Sequence, residues 1–289
     1  MPLPPKKCDE PSVFTAENLL REARRQKSTP NGSVPEICLL DPDGDIVRHL
    51  LAKNRAVKCP YWACYHTDLY LFEQEGFQFG VLGCAVGASF AVLVAEELFA
   101  SGCELLLSIT SAGQLLALRN PPYFVLIDKA LRDEGTSYHY LPPSDFSGID
   151  EQLLEWLGPR LKSCSPPVEI GSTWTTDAPF RETASAIDAC RNMGLLAVEM
   201  EAAALYAFAK AKNKPVICFA HVTNRMAGIE GDFEKGAENG CRDSLRLVVA
   251  VARLWKDFTR RNPVLLAKSL TITEEDRAER QSFSESTPG

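Results

Sequence analysis

The residues best suited to chemistry are two glutamates around a methionine, Glu199-Met200-Glu201. The surrounding pattern LLAVEMEAAAL, residues 195–205, predicts a buried strand that passes directly into a helix. A carboxylate at such a junction can accept hydrogen bonds from both hydroxyls of a ribose, and the methionine can pack on the apolar face of the sugar. The same acids would equally suit the start of a helix, where the helix dipole stabilises negative charge.

Two segments of small and hydroxyl-bearing residues follow predicted strands and could bind an anion. One is GCAVGAS at 83–89, where backbone N–H groups would lie at a helix N-terminus. The other is Thr110-Ser111-Ala112-Gly113, which follows the apolar run ELLLSI. The alternatives are tight packing of a helix on the sheet for the first segment and a plain turn for the second.

The segment WTTDAPFRET at 174–183 carries groups that could recognise a planar ring. Phe180 could stack on a base, and Arg181 or Glu182 could form hydrogen bonds with its edge. The alternative is a surface loop that caps the following helix.

The end of the apolar run PVICFA leads into AHVTNRM at 220–226. Asn224 could hold an atom of a base or leaving group, and Arg225 could pair with an acidic group. His221 lies within the apolar run, so a core histidine is favoured over a catalytic one.

Apolar runs of strand length alternate with helical patterns along most of the chain. Strands are predicted at 36–40, 62–73, 77–84, 104–110, 123–130, 169–175, 197–200 and 215–221. Helices are predicted at 16–25, 45–53, 88–101, 184–193, 201–212 and 244–259. Strands without polar alternation are typical of a mostly parallel sheet covered by helices on both faces, whose ligands bind beyond the carboxyl ends of the strands.

Composition and charge restrict the class of protein and its partners. The net charge of −7 argues against binding to a nucleic-acid backbone. Ten cysteines without a CxxC pair are expected as free thiols in a reducing, cytoplasmic compartment, and no zinc cluster is expected. Neither a signal peptide nor a membrane partner is expected. We predict a polar N-terminal appendage at 1–33, one domain at 34–262 and a charged, Ser-rich tail at 263–289.

These segments together resemble the nucleoside phosphorylase/nucleosidase superfamily, which includes uridine phosphorylase, hexameric purine nucleoside phosphorylase and methylthioadenosine nucleosidase. The residues that carry the resemblance are LLAVEMEAAAL at 195–205, LLLSITSAGQL at 105–115, ALRDEGTSYHYLP at 130–142, VICFAHVTNR at 216–225 and DPDGDIVRHL at 41–50. The resemblance implies a single α/β domain with a mixed, mostly parallel, distorted central sheet flanked by helices. It also implies a homo-oligomer, either a dimer or a hexamer.

The resemblance assigns roles to particular residues. The ribose would be bound by Glu199, Met200, Glu201 and His66, and the base by Thr176, Phe180, Arg181 and Glu182. Asn224, Arg225 and Glu201 are the expected catalytic residues. Arg48, Gly87, Ser89, Ser108 and Ser111 are expected to form the site of phosphate or water. No cofactor or metal is implied, apart from inorganic phosphate as a co-substrate.

The departures from the family pattern concern the phosphate site. Phosphorolytic members place arginines in the amino-terminal turn and in the strand before the TSAG-like segment, where this chain has Gly44 and Ser108. A third arginine is expected near Tyr65-His66, and none occurs there. Burial of a phosphate without cations is costly.

Three interpretations follow from these observations. The family pattern favours phosphorolysis of a nucleoside to a free base and (deoxy)ribose 1-phosphate, in the manner of uridine phosphorylase. The missing arginines favour a hydrolytic nucleosidase in which water replaces phosphate. A non-catalytic nucleoside-binding relative is the third interpretation, and the intact Glu201 and Asn224 argue against it.

Overall fold

The apolar runs of the sequence form one ten-stranded sheet in the computed structural model, which describes residues 7–8, 10–226 and 230–263. The strands are β1 Ile37–Asp41, β2 Ala56–Lys58, β3 Tyr70–Gln74, β4 Phe77–Gly83, β5 Leu105–Gln114, β6 Tyr123–Asp133, β7 Phe146–Gly148, β8 Val168–Thr176, β9 Ala197–Glu199 and β10 Val216–Asn224. The helices are α1 Ala16–Lys27, α2 Asp45–Ala52, α3 Ala88–Ala100, α4 Glu151–Leu161, α5 Ala184–Asn192, α6 Ala202–Lys212 and α7 Cys241–Arg261.

The sheet mixes parallel and antiparallel pairings and curls back on itself. Its strand order is β10-β6-β8-β9-β5-β1-β4-β3-β2, and β10 also pairs with β5. That second pairing joins five strands into a closed ring, which explains the distortion. Parallel pairings join β4, β1, β5 and β10 in one stretch and β6, β8 and β9 in another. The mixed α/β fold expected from the sequence is confirmed.

The helix α6 packs as a buried element between the sheet and α3. Its first seven residues are all buried, so its composition of alanines and aromatic residues reflects close packing on every side. At its centre Tyr206 donates a hydrogen bond to the carbonyl of Ile127 (2.6 Å) and accepts one from the N–H of Cys218 (3.1 Å). These bonds fix α6, whose N-terminus follows the glutamates, against β6 and β10.

The N-terminal segment packs on the domain through α1. Thr15 caps this helix, and Leu20 and Ala23 are buried against Ala63 and Ala100. The boundary at residues 33–34 stays a prediction. Residues 264–289, which make up nearly all of the predicted tail, lie outside the described residues.

Several elements differ from the sequence-based prediction, and the short strands β2 and β7 were not predicted. The strand predicted at 62–73 starts only at β3, because the indole of Trp62 donates to the backbone and hydroxyl oxygens of Thr67 and closes a local loop. The helix α4 was not predicted, since Pro159 falls inside it. The segment Thr110–Gly113 is no turn: β5 continues through it, because Gly113 pairs with Val198 of β9.

Candidate active site

The carboxyl ends of β1, β4 and β10 meet beside the second half of β5. In the parallel registers Asp41 pairs with Gly83, and His221 pairs with Ser111. Parallel strands leave their carboxyl ends at one edge, where α/β proteins bind their ligands. The glutamates arrive at the same place because β9 runs antiparallel to β5 and ends at Glu199.

Glu199 is fully engaged in local structure. One carboxylate oxygen accepts hydrogen bonds from the N–H groups of Glu201 and Ala202, both at 2.7 Å. The other accepts from the hydroxyls of Thr173 (3.1 Å) and Thr175 (2.5 Å). Glu199 therefore caps α6, as the helix-start interpretation of these acids proposed, and it holds the Glu201 backbone in place.

Glu201 has one oxygen free for a ligand. Its side chain is only 1% exposed, and its Oε1 accepts a hydrogen bond from the N–H of Gly87 (2.7 Å). Its Oε2 is buried without a hydrogen-bond partner among the described residues. Burial and the neighbouring Glu199 charge raise the pKa of Glu201 to about 8, although Gly87 and Thr110 act in the opposite direction. Such an oxygen is suited to accept hydrogen bonds from a bound polyol.

Neutralising Glu199 should move the pH dependence of catalysis to lower pH. Glu201 is mostly protonated below its pKa of about 8, so kcat/KM should rise as the pH increases through that value. The substitution Glu199→Gln removes a neighbouring charge that raises this pKa, while the amide oxygen can still accept from the helix N–H groups. We therefore expect the rising limb at a lower pH in a kcat/KM profile from about pH 5 to 9. If the rising limb lay at the same pH in the Glu199→Gln variant and the wild type, a group other than Glu201 would be responsible for it.

A second cluster lies on the turn after β1. The carboxylate of Asp43 accepts hydrogen bonds from the hydroxyl of Ser111 and from the ammonium of Lys235, the latter at 3.0 Å. Lys235 also pairs with Asp45 at 2.6 Å. Although burial opposes its charge, the two aspartates raise the pKa of Lys235. Lys235 carries no motif signal in the sequence, because it is an isolated lysine in the acidic stretch GDFEKG with no motif spacing around it.

The residues expected at the phosphate or water site do not form one cluster. Arg48 pairs with Asp45 at 2.7 Å, but its side chain is 62% exposed. Ser111 belongs to the Asp43 cluster, whereas the Gly87 N–H is bound to Glu201. The two remaining residues are exposed Ser89, in the first turn of α3, and buried Ser108, three positions from Ser111 and so on the opposite face of β5. Their role stays a prediction.

The end of β10 carries Asn224, which is 7% exposed and held by its neighbours. Its side-chain oxygen accepts from the N–H of Met226 (2.9 Å), and its amide nitrogen donates to the Thr223 hydroxyl (3.2 Å). Arg225 turns away from it, with its guanidinium bound to Asn120 at 2.5 Å. The catalytic roles of Asn224 and Arg225 stay predictions.

The loop expected to bind the base is largely exposed. Thr176 is buried at the end of β8, and its hydroxyl accepts from the Ala178 N–H (3.2 Å). Phe180, however, is 99% exposed, and Arg181 is exposed beside it. Glu182 is half-buried, and burial raises its pKa. The role of Phe180 as an aromatic wall stays a prediction.

His66 lies exposed on the loop before β3, where its neighbour Tyr65 bonds with Gln26 of α1. Within the described part of the chain, no hydrogen bond joins His66 to Glu201. Its role at the ribose stays a prediction, as does the homo-oligomer that the resemblance implies.

His221 is a buried histidine of the core. Its ring stacks on Phe124, with the ring centroids 4.5 Å apart and the planes inclined by 13°. Burial lowers its pKa to about 4, so the imidazole is neutral near pH 7. This geometry agrees with the core interpretation.

The described ranges also bear on metal binding and on the membrane. No group of three or more His, Cys, Asp or Glu side chains there is arranged to hold a metal ion. No helix among residues 7–8, 10–226 and 230–263 is both long and apolar enough to cross a membrane.

Comparison with known proteins identifies the family. The model of the phosphorylase superfamily matches residues 36–253, well over half of the 289 residues. The chain therefore belongs to the phosphorylase superfamily and is an enzyme of that family. The resemblance inferred from the sequence is confirmed.

Individual relatives are distant in sequence. A guanosine phosphorylase from Halorubrum lacusprofundi is 28% identical over 84% of this chain and 99% of its own length. A DeoD-type purine nucleoside phosphorylase from Colwellia psychrerythraea is 24% identical over 62% of this chain and 78% of its own. The crystal structure of uridine phosphorylase from Vibrio fischeri superimposes with a TM-score of 0.63 at 17% identity, covering 78% of this chain and 94% of that one. This last likeness shows the shared fold.

Proposed function

We propose that the chain cleaves the N-glycosidic bond of a nucleoside. The observation that carries the proposal is the buried Glu201, whose Oε2 has no hydrogen-bond partner among the residues that the structure describes and lies where the strand ends meet. The hydroxyls of a ribose would donate to this oxygen, and the energy of those bonds would offset the burial of the carboxylate. The relatives named guanosine and purine nucleoside phosphorylase support a nucleoside as the substrate.

In the proposed reaction, the bond between C1′ of the sugar and the base nitrogen breaks, and its electron pair leaves with the base. Positive charge then develops on the ribosyl group, and the nearby carboxylate of Glu201 stabilises it. A phosphate oxygen attacks C1′, so that the products are the free base and (deoxy)ribose 1-phosphate. The names of the relatives favour phosphate as the nucleophile.

A hydrolytic reaction is the second candidate, and the position of Asp43 favours it. This carboxylate already accepts from Ser111 and Lys235, two donors that an attacking phosphate would need. In the hydrolytic reaction, water attacks C1′, its proton passes to Asp43, and free ribose leaves. A carboxylate held between a hydroxyl and an ammonium is placed to accept that proton.

The experiment incubates the purified protein with a panel of purine and pyrimidine nucleosides, with and without inorganic phosphate. We expect base release that depends on phosphate, with ribose 1-phosphate as the second product. Release of free ribose in phosphate-free buffer would contradict phosphorolysis and identify the reaction as hydrolysis. Failure to release a base from any nucleoside under both conditions would contradict the proposed function.

A further inference from the structure

The part of the candidate site where the nucleophile is expected contains a cation, Lys235, that comes from a distant part of the sequence. The amino-terminal turn has Gly44, and the Arg48 guanidinium folds over this turn, where it donates to the carbonyl of Asp43 (2.7 Å) and pairs with Asp45 (2.7 Å) while its side chain is 62% exposed. Lys235 instead approaches Asp43 from a segment about 190 residues further along the chain. Its side chain is only 19% exposed, so its charge is concentrated in a partly desolvated place.

The segment that carries Lys235 is fixed on the end of β10. The N–H of Glu234 donates to the carbonyl of Thr223 (2.8 Å), and the N–H of Arg225 donates to the carboxylate of Asp232 (2.8 Å). Gly240, at the end of the segment, lies directly against the His221 ring. Lys235 is therefore positioned by backbone contacts on both sides, and its ammonium has a defined location.

The contacts of Asp43 indicate what the ammonium would bind. Asp43 accepts from the Ser111 hydroxyl and from Lys235 at the same oxygen, Oδ2. Its side chain is 31% exposed, whereas Asp45, the second partner of Lys235, is only 14% exposed. An incoming anion could displace the more exposed carboxylate while Asp45 keeps Lys235 in position.

We propose that Lys235 is the cation that binds the attacking phosphate and that Asp43 occupies this position until phosphate arrives. The inference rests on the proposed function, because it assigns a residue to the nucleophile of that reaction. Lys235 then supplies the charge that arginines supply in the family pattern. Ser111 would donate its hydroxyl hydrogen to the phosphate in place of Asp43.

Charge balance makes Asp43 a competitor of phosphate. Asp43 and Asp45 carry two negative charges, and Lys235 and Arg48 carry two positive charges, so the unliganded cluster is neutral. A phosphate dianion gains from this cluster only when the Asp43 carboxylate moves away from the ammonium. Removing the charge of Asp43 should therefore strengthen phosphate binding, whereas removing that of Lys235 should weaken it.

Steady-state kinetics of four variants test the assignment. Lys235→Met should raise the KM for phosphate by about 10- to 100-fold, the loss typical of a charge-assisted hydrogen bond, and change the KM for nucleoside much less. Lys235→Arg should restore much of the phosphate affinity, and Asp43→Asn should lower the KM for phosphate. Lys53→Met is the matched control, because Lys53 pairs with Glu238 at 3.1 Å outside the cluster and should leave both constants unchanged.

A binding measurement separates this inference from the proposed function. Titration calorimetry with inorganic phosphate should show saturable binding to the wild type and to the Lys53→Met variant, and weaker binding to the Lys235→Met variant. If no nucleoside is cleaved but this pattern holds, the proposed function fails and the anion site stands. Equal phosphate affinity in the Lys235→Met variant and the wild type overturns the inference. Loss of all turnover in Asp43→Asn, with no gain in phosphate affinity, also overturns it and assigns Asp43 to water activation.

Discussion

Replacing Glu201 with glutamine should lower kcat/KM for a nucleoside by about 10²- to 10⁴-fold when both are measured near pH 9, above the Glu201 pKa of about 8. A hydrogen bond to a charged group contributes about 1.5–3 kcal/mol, and the carboxylate is proposed to accept from two ribose hydroxyls. Glutamine retains the shape and one acceptor for the Gly87 N–H, but it loses the charge that stabilises the ribosyl cation. Folding should be little affected at neutral pH, because the pKa of about 8 already leaves the buried acid mostly protonated.

Glu97→Gln is the matched control for this prediction. Glu97 is also 1% exposed and burial raises its pKa, but it lies ten residues along α3 from Gly87. Its substitution should leave kcat/KM within about threefold of the wild type, as expected away from the reacting atoms. Nucleosides that lack the 2′ and 3′ hydroxyls give a second check, because Glu201→Gln should reduce the discrimination against them. Near-wild-type kcat/KM in Glu201→Gln would show that Glu201 does not bind the ribose.

Gly240→Ala should destabilise the fold by about 2–5 kcal/mol. The residue has φ +77°, and a Cβ would lie 2.3 Å from a ring carbon of His221 and 2.7 Å from the carbonyl oxygen of Lys235. The left-handed conformation costs a non-glycine residue about 1–2 kcal/mol, and overpacking adds about 1–3 kcal/mol. The free energy of unfolding from urea denaturation measures the effect. Since the clash involves the backbone of Lys235, phosphate-dependent activity should fall as well.

Gly194→Ala separates the backbone cost from the clash. Gly194 has nearly the same φ, +79°, but no atom of the described residues lies within 4 Å of an added Cβ. Its alanine variant should lose only about 1–2 kcal/mol, the cost of the left-handed backbone alone. If both variants lost the same free energy of unfolding, the segment after β10 would not be packed tightly against His221.

Much of the fold could be predicted because its signals are local. The apolar runs that became β1, β4 and β6 are continuous, and α6 follows the glutamates as the alanine-rich pattern indicated. The continuation of β5 through Thr110–Gly113 could not be predicted in this way. Its cause is the pairing with β9, a strand more than eighty residues later, and such tertiary contacts override local turn signals.

The candidate site was predicted only where one segment carries the chemistry. The sequence placed Glu199 and Glu201 together, but their different roles depend on Thr173, Thr175 and Gly87, which come from other elements. Lys235 could not be predicted from the sequence, because its proposed role depends on its contacts with the distant turn that carries Asp43 and Asp45. Motif spacing does not predict such a residue, since no fixed spacing connects the two segments.

The central position of β5 has a consequence for how the protein is made. β5 pairs with β1 on one side and with β10 on the other, yet β10 begins about a hundred residues after β5 ends. A growing chain therefore displays one unpaired edge of a largely buried strand until residues 216–224 have left the ribosome. Such edges template association between chains. Premature termination before β10 should yield aggregates instead of a smaller folded domain.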